Sequence, residues 1–207
     1  MDLVEESVAL RGAALQVLRP RDAEALLDEH AFEHEEYLPY WAELWPSGVA
    51  LARRVAVRAL RGARVLELGC GLGLPSLAAA LAGGRVLATD WSPQAIELLE
   101  QNAARNGAAL ETALVDWASP GTIVERAPWD LVLAADVLYE RRNVPLLLDL
   151  LPRLIHQRGE LWLADPGRAP AEQLLAALAE GWDRRAEADG RVTVHRLMRA
   201  AVPSQAE

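Results

Sequence analysis

The chain has 207 residues, with 30 Asp or Glu against 21 basic residues and a formal net charge of -9. All 21 basic residues are arginine, since the sequence contains no lysine. This acidic balance excludes a general binder of nucleic-acid backbones, because such proteins present a basic face to the phosphates. The single cysteine, Cys70, excludes a disulfide framework and a cysteine-based zinc site.

The excess acid is concentrated near the start of the chain. Residues 1–43 hold 11 acids and 3 arginines, a net charge of -8, whereas the remaining 19 acids and 18 arginines nearly cancel at -1. The first residues lack the basic and apolar regions of a signal peptide, and charges interrupt every apolar stretch before the ~18–20 residues of a membrane span. We expect a cytoplasmic monomer with no nucleic-acid or membrane partner. The length fits one domain over residues 1–207, with 1–46 an acidic N-terminal extension at the substrate entrance.

The predicted elements begin with a hairpin or edge strand over 8–18, an acidic, helix-prone segment over 21–36 and a helix over 49–60. Short apolar strands then alternate with helices. The strands are predicted over 63–68, 85–90, 110–116, 130–136, 160–165 and 191–198, and the helices over 74–82, 93–106, 144–155 and 171–180. This alternation is typical of βαβ units, and it predicts an α/β fold whose mostly parallel sheet has helices on both faces.

Ligands of such sheets bind at the carboxyl ends of the strands, so the residues that follow each strand are the candidate site. A glycine-rich loop follows the first of these strands, and four later strands end in aspartate. These strand ends are Gly69–Gly73, Asp90–Trp91, Asp116–Trp117, Asp136 and Asp165–Arg168.

The glycine loop reads E-L-G-C-G-L-G over residues 67–73. Glycines at this point permit a tight turn and a close approach of the backbone to a ligand. The pyrophosphate fingerprint G-x-G-x-x-G is not matched, because residue 74 is leucine and the third glycine comes one position early. Glu67 is also unfavourable beside a pyrophosphate and suits a ligand that carries an ammonium group. The alternative is a tight turn without a ligand.

The next two strand ends indicate a nucleoside. Asp90 is placed to accept hydrogen bonds from both ribose hydroxyls; the alternative, a helix cap, is better served by Ser92. Trp91 would pack on the ribose or the adenine edge, or would cover the sheet end. Asp116 could accept a hydrogen bond from the adenine amino group while Trp117 stacks or donates, although tryptophans also close sheet ends. Together with Glu67, these residues describe S-adenosylmethionine.

The motifs V-L-E-L-G-C-G-L-G, A-T-D, D-W and A-D-V-L-Y resemble those of the class I, seven-β-strand methyltransferases. D-x-x-Y at 136–139 and P-Y-W-A-E-L-W-P-S-G at 39–48 resemble methyltransferase family 16, which contains many protein-lysine methyltransferases. D-P-G-R at 165–168 is similar to the subgroup of electron-transfer-flavoprotein β-subunit lysine methyltransferases and their bacterial relatives. The resemblance spans roughly residues 37–170 and implies a Rossmann-like three-layer sandwich with a seven-stranded, mostly parallel sheet.

The resemblance also assigns roles to individual residues. It implies that Asp136 and Tyr139 face the substrate amine. It implies cofactor contacts by Trp45, Glu67, Gly69, Gly71, Gly73, Asp90, Trp117 and Ala135. Glu43 and Leu44 depart from the flavoprotein subgroup, which has uncharged aromatic or small residues there.

The predicted function is S-adenosylmethionine-dependent N-methylation of a protein lysine. Because a free lysine amine has a pKa near 10.4 and attacks only when neutral, we expect Asp136 to orient the amine rather than to deprotonate it. We expect Tyr139 to form an aromatic wall or to accept a hydrogen bond. The alternative role of Asp136 is a helix cap.

Two other functions stay open, namely methylation of a small amine or pyridine such as nicotinamide, and a non-catalytic nucleoside-binding scaffold. A roof of residues 21–46 over the strand ends would favour a small substrate, and an open acidic groove would favour a protein. His30 and His34 share a helical face, but we expect a solvated acidic helix there and no metal site. The degree of methylation is not predicted.

Overall fold

The computed structural model describes residues 1–26 and 39–200. Its first two strands, β1 (Leu3–Leu10) and β2 (Ala13–Pro20), form a separate antiparallel hairpin. The central sheet contains β3 (Arg64–Leu68), β4 (Arg85–Asp90), β5 (Glu111–Leu114), β6 (Trp129–Ala135), β7 (Ile155–Asp165), β8 (Trp182–Asp189) and β9 (Val192–Arg199). Six α-helices of the described residues follow in chain order: α1 (Pro46–Val55), α2 (Leu74–Leu81), α3 (Pro93–Asn106), α4 (Gly121–Glu125), α5 (Asn143–Leu154) and α6 (Ala169–Leu178).

The seven strands of the sheet lie in the order β5-β4-β3-β6-β7-β9-β8. The first five of these are parallel to one another, whereas β9 runs antiparallel to both β7 and β8. The predicted seven-stranded, mostly parallel sheet is therefore confirmed.

Helices cover both faces of the sheet, because alternate residues of the central strands are apolar in both directions. On β6, Leu131 and Leu133 join the core that contains α1, α2 and α3, while Val132 and Ala134 join the core under α4, α5 and α6. The result is the expected three-layer sandwich.

The strand order reverses between β3 and β6. From β3 the chain continues outward to β4 and β5, and from β6 it continues in the other direction to β7. The loops that follow β3 and β6 therefore diverge and leave a crevice at the carboxyl ends of these two strands.

Some element boundaries differ from the prediction. Helix α1 begins at Pro46 rather than at residue 49, because proline is well accommodated in a first helical turn, and it ends at Val55 rather than at 60. Strand β8 was not predicted as an element. Six of its eight residues are exposed, so this edge strand has no apolar face to mark it in the sequence.

The N-terminal hairpin confirms the pattern around Gly12, although its strands extend beyond residues 8–18. Within the predicted helical segment 21–36, the described part contains only a 3₁₀ turn over Glu24–Leu26. Residues 27–38, including His30 and His34, lie outside the described residues. Among the helices that are described, none combines the length and the apolar character needed to cross a membrane.

Candidate active site

A cavity of about 750 Å³ lies at the crevice between β3 and β6. Its walls are the loops after β3, β4, β5, β6 and β7, the segment before α1, and the first turns of α1, α2 and α5. All twelve residues that the sequence singled out as cofactor or substrate contacts line it. They are Trp45, Glu67, Gly69, Gly71, Gly73, Asp90, Trp91, Asp116, Trp117, Ala135, Asp136 and Tyr139.

The glycine loop between β3 and α2 has a left-handed backbone at each of its three glycines, with φ of 64° at Gly69, 49° at Gly71 and 79° at Gly73. A Cβ at Gly73 would lie 2.1 Å from Cδ1 of Leu99, and one at Gly71 would lie 3.1 Å from the carbonyl oxygen of Trp41. The early third glycine is therefore explained by the close approach of α3 to the start of α2.

Glu67 points to the same face of β3 as Val65 and is buried, with 1% of its surface exposed. Its Oε2 accepts hydrogen bonds from the backbone N–H of Ser76, at 2.8 Å, and from the Ser76 hydroxyl. Burial raises the pKa of Glu67 to about 8; the Ser76 hydrogen bonds oppose the shift, and the charge of Asp90 adds to it. A ligand cation beside this carboxylate would favour its ionised form.

Asp90 ends β4 with its carboxylate buried beside the glycine loop. Its Oδ2 accepts the N–H of Gly71 at 2.9 Å, and its Oδ1 accepts the N–H of Ser92 at 3.0 Å. Burial raises the pKa of Asp90, and these backbone hydrogen bonds oppose the shift. Ser92 caps α3 by accepting the N–H of Ala95 at 3.3 Å, so Asp90 is not the cap of this helix.

The loop after β5 brings Trp117 against the glycine loop, where its Cζ2 lies 3.6 Å from the position of a Cβ on Gly69. Asp116 is exposed, and its Oδ1 accepts the N–H of Ala118 at 2.8 Å. Trp91 lies on the rim of the cavity and is 41% exposed. These side chains offer an aromatic face and a carboxylate at one end of the cavity.

Asp136 follows β6 and has φ of 58°, which is unusual for a residue other than glycine and costs roughly 1–3 kcal/mol. Its N–H donates to the carbonyl oxygen of Ala164 at 3.0 Å, and its Oδ1 accepts a hydrogen bond from Nη1 of Arg168. The same Nη1 lies 3.3 Å from Oδ2 of Asp165, at the end of β7. Since α5 begins only at Asn143, Asp136 is not a helix cap. No role was predicted for Arg168, although it belongs to the D-P-G-R motif.

Aromatic side chains form the mouth of the cavity. The ring centroids of Tyr40 and Tyr139 are 5.0 Å apart, and those of Tyr40 and Trp45 are 6.3 Å apart. Nε1 of Trp45 donates to the carbonyl oxygen of Tyr40 at 2.7 Å. Burial, and secondarily the charges of Glu140 and Asp90, raise the pKa of Tyr139 to about 12, which keeps its phenol neutral. Tyr40 was not predicted, although it belongs to the P-Y-W-A-E-L-W-P-S-G motif.

Comparison with known proteins finds lysine methyltransferases among the relatives of this chain. The chain is 38% identical over 136 residues to the electron transfer flavoprotein beta subunit lysine methyltransferase of Xenopus laevis, covering 63% of this chain and 54% of that protein. It is 32% identical over 151 residues to a protein N-lysine methyltransferase of Danio rerio, covering 68% of this chain and 69% of that protein. The chain spans about half the length of the flavoprotein enzymes that it matches.

The fold also matches a 16S rRNA methyltransferase of T. thermophilus, solved in complex with AdoMet and guanosine. The TM-score is 0.69 at 16% identity, over 96% of this chain and 51% of that one. The family model described as lysine methyltransferase matches residues 33–177, which is more than half of the chain. This chain therefore belongs to the lysine methyltransferase family.

Proposed function

We propose that this chain is an S-adenosylmethionine-dependent N-methyltransferase that acts on a lysine amine of a protein. The observation that carries the proposal is the cavity at the switch point, where the glycine loop lies beside two buried carboxylates, Glu67 and Asp90. Membership of the lysine methyltransferase family supports the same reaction.

The side chains of the cavity fit the chemical groups of this cofactor. Asp90 presents carboxylate oxygens to a ribose diol, and Glu67 presents one to an ammonium group. Asp116 and Trp117 suit an adenine ring, with Trp91, Trp45 and Ala135 as further walls. A volume of about 750 Å³ lies within the usual range of small-molecule cavities and leaves room for an entering amine. When bound, S-adenosylmethionine supplies an electrophilic methyl group on its sulfonium sulfur.

The protein has to align a neutral amine and to shield it from water. Asp136 is placed to orient the amine, because it follows β6 and lines the cavity. Tyr139 is placed to form a neutral aromatic wall, since its raised pKa keeps the phenol protonated. The proton of the entering ammonium leaves to water, because an ordinary carboxylate is too weak a base to hold it.

A protein substrate is favoured over a small amine by the names of the relatives and by the charge around the cavity. Glu43 and Asp116 line it and would attract a basic segment of a partner, whereas Glu140 pairs with Arg142. The acids of the N-terminal hairpin do not line the cavity. Glu5 pairs instead with Arg105 of α3, and Glu6 pairs with Arg19 of β2. The described residues of the N-terminal extension are 1–26 and 39–46. Of these, we assign residues 39–46 to the substrate entrance, because most of them line the cavity.

The proposal also includes a single domain that acts as a cytoplasmic monomer without a nucleic-acid or membrane partner. The net charge of -9 supports the exclusion of nucleic acid.

The substrate class is tested by incubating the chain with tritiated S-adenosylmethionine and a cell extract of the source organism. We expect label in the protein fraction, on lysine, and its loss with the Asp136→Ala variant. The chain has no lysine of its own, so lysine label must lie on another protein. Label confined to small molecules would contradict the proposal in favour of the small-amine enzyme. Cofactor binding without any labelling would instead indicate the nucleoside-binding scaffold.

The site assignment is tested by separating binding from turnover. We expect Asp90→Asn to weaken cofactor binding at least about tenfold, since a charge-assisted hydrogen bond contributes roughly 1.5–3 kcal/mol. Asp136→Ala should bind the cofactor within twofold of the wild type and label no protein. Asp149→Asn, an exposed acid on α5, is the matched control for both measurements. Unchanged cofactor affinity of the Asp90 variant in titration calorimetry would overturn the assignment.

A further inference from the structure

We propose that Arg168 is a positioning residue that acts through Asp136: it holds one oxygen of the Asp136 carboxylate so that the other is directed to the substrate amine. The inference rests on the proposed function, because it concerns the residue that orients the amine. It assigns a role to the arginine of D-P-G-R, which lies 32 residues from Asp136 in the sequence.

Two separate contacts fix Asp136 to the end of the neighbouring strand β7. Its backbone N–H donates to the carbonyl oxygen of Ala164 at 3.0 Å, and its Oδ1 accepts from Nη1 of Arg168. The backbone contact holds the left-handed conformation at φ of 58°, and the side-chain contact sets the rotation of the carboxylate. Both are needed to hold a short side chain in one orientation within a cavity.

Arg168 is itself held in place by Asp165. Oδ1 of Asp165 accepts the N–H groups of Gly167 and Arg168, both at 2.7 Å, which shapes the turn between β7 and α6. Oδ2 of Asp165 lies 3.3 Å from Nη1 of Arg168. The guanidinium is therefore shared between two carboxylates, of which Asp165 is almost fully buried and Asp136 lines the cavity.

The arrangement leaves one atom for the substrate. In the part of the chain that the structure describes, Arg168 is the residue that hydrogen-bonds the Asp136 carboxylate, and it does so through Oδ1. Oδ2 can then accept one N–H of a neutral amine, which leaves the nitrogen lone pair free to attack. Arg168 also reduces the attraction of this carboxylate for a protonated amine, since it places a positive charge against it.

Removal of Arg168 should impair turnover without impairing cofactor binding. We expect Arg168→Ala to lower the rate of protein labelling by roughly ten- to a hundredfold, because small errors in alignment have effects of this size. The unpaired carboxylate should also favour the ammonium form of the substrate, so the pH of half-maximal rate should rise. Arg168→Lys should restore part of the rate and reverse part of the pH shift, since it restores the charge.

Groups around the site other than Arg168, including Asp165, are the same in the wild type and in the two Arg168 variants, so a difference among these three pH profiles originates at position 168. The phenols of Tyr40 and Tyr139 and the thiol of Cys70 are the uncharged titratable groups of the cavity, and burial raises the pKa of that thiol. The further charged groups that line the cavity are Glu43, Glu67, Asp90, Asp116, Glu140 and Arg142.

The experiment compares the wild type, Arg168→Ala, Arg168→Lys and Asp165→Asn with the control Arg153→Ala, an arginine of an exposed ion pair on α5. It measures thermal unfolding, calorimetric binding of S-adenosylmethionine, and the rate of tritium transfer to extract proteins against pH. Asp165→Asn keeps the acceptor for the turn but loses the charge beside Arg168, so an intermediate rate is expected. If Arg168→Ala does not fold, the inference is tested with Asp165→Asn and Arg168→Lys.

The outcomes separate this inference from the proposed function. Absence of protein labelling by the wild type would overturn both. Wild-type labelling with an unchanged rate and pH profile in the Arg168 variants would overturn the inference alone. A loss of cofactor affinity in parallel with the rate would also overturn it, because it would place Arg168 in the cofactor site.

Discussion

At the scale of single residues, Gly73 and Gly107 have similar backbones in different surroundings. Both have positive φ, 79° and 63°. A Cβ at Gly73 would lie 2.1 Å from Cδ1 of Leu99, whereas a Cβ at Gly107 would meet nothing within 4 Å. The two positions therefore separate the cost of a left-handed backbone from the cost of a steric clash.

We expect Gly107→Ala to lower the free energy of unfolding by about 1–2 kcal/mol, the usual cost of a left-handed conformation for a residue with a Cβ. Gly73→Ala should lose that amount and a further 1–3 kcal/mol, roughly, from overpacking against Leu99. Urea unfolding of the two variants measures the difference. An equal decrease in the free energy of unfolding in both variants would show that the Leu99 side chain moves away from the new methyl group without an energetic penalty. Packing would then not require glycine at position 73.

The positions of the site residues could be predicted from the sequence, but their contacts could not. Each predicted residue lies near or just after the carboxyl end of a strand or directly precedes α1, and parallel strands bring their carboxyl ends to one edge of the sheet. The ion pair of Asp136 with Arg168 and the hydrogen bonds of Glu67 with Ser76 depend on side-chain conformations in separate elements. No local pattern encodes these contacts, so Asp136 was predicted as a site residue while its contact with Arg168 was not.

At the scale of elements, burial determined what could be predicted. Strands β3, β4 and β6 are buried in the sheet centre and are marked by continuous apolar runs. Strand β8 lies at the edge and, within the described residues, pairs only with β9; its sequence W-D-R-R-A-E-A-D is mostly charged, and six of its eight residues are exposed. The hairpin β1–β2 was predicted from its own pattern around Gly12 and α3 from its helical run, but the contact between the two was not predicted.

Helix α3 holds this hairpin through two asparagines one turn apart. Oδ1 of Asn102 accepts the N–H of Leu18 at 2.7 Å, and its Nδ2 donates to the carbonyl oxygen of Leu18 at 3.1 Å. Asn106 makes the same pair of hydrogen bonds with Gln16, at 2.9 and 2.8 Å. The two amides thus take the place of a neighbouring strand along the free edge of β2.

We expect Asn102→Ala to lower the free energy of unfolding by roughly 1–3 kcal/mol, because it leaves the N–H and carbonyl groups of Leu18 without their partner. The amide of Leu18 should also exchange with solvent faster, which hydrogen exchange measures directly. Gln101→Ala, at an exposed position of the same helix, is the control and should change neither quantity. Unchanged protection of Leu18 in the Asn102 variant would show that the hairpin is held by apolar packing alone.

At the scale of the whole molecule, the buried Glu67 makes stability depend on pH, and we propose that the same side chain binds the cofactor. Burial raises its pKa to about 8 in the folded chain, from an ordinary value of 4.5. Between these two pH values the folded state binds a proton that the unfolded state has released. The contribution of Glu67 to stability is therefore greatest below about pH 4.5 and declines as the pH rises toward 8. Above that pH, the full penalty of a buried charge is present.

Glu67→Gln should remove this penalty and weaken the cofactor site in the same molecule. The amide keeps an acceptor for Ser76, so the variant should match the wild type near pH 5 and exceed its stability by a few kcal/mol, to order of magnitude, near pH 9.

S-adenosylmethionine should bind the Glu67→Gln variant roughly ten- to a hundredfold more weakly, because the proposed carboxylate partner of its ammonium group is lost. Thermal unfolding across this pH range and titration calorimetry measure the two effects, with exposed Glu97→Gln as the control. Parallel stability profiles for the wild type and the Glu67 variant would contradict the ionisation argument, whereas equal cofactor affinity would remove Glu67 from the binding site. If both effects are found, the instability of the empty chain at alkaline pH is the direct cost of a carboxylate placed to receive a cation.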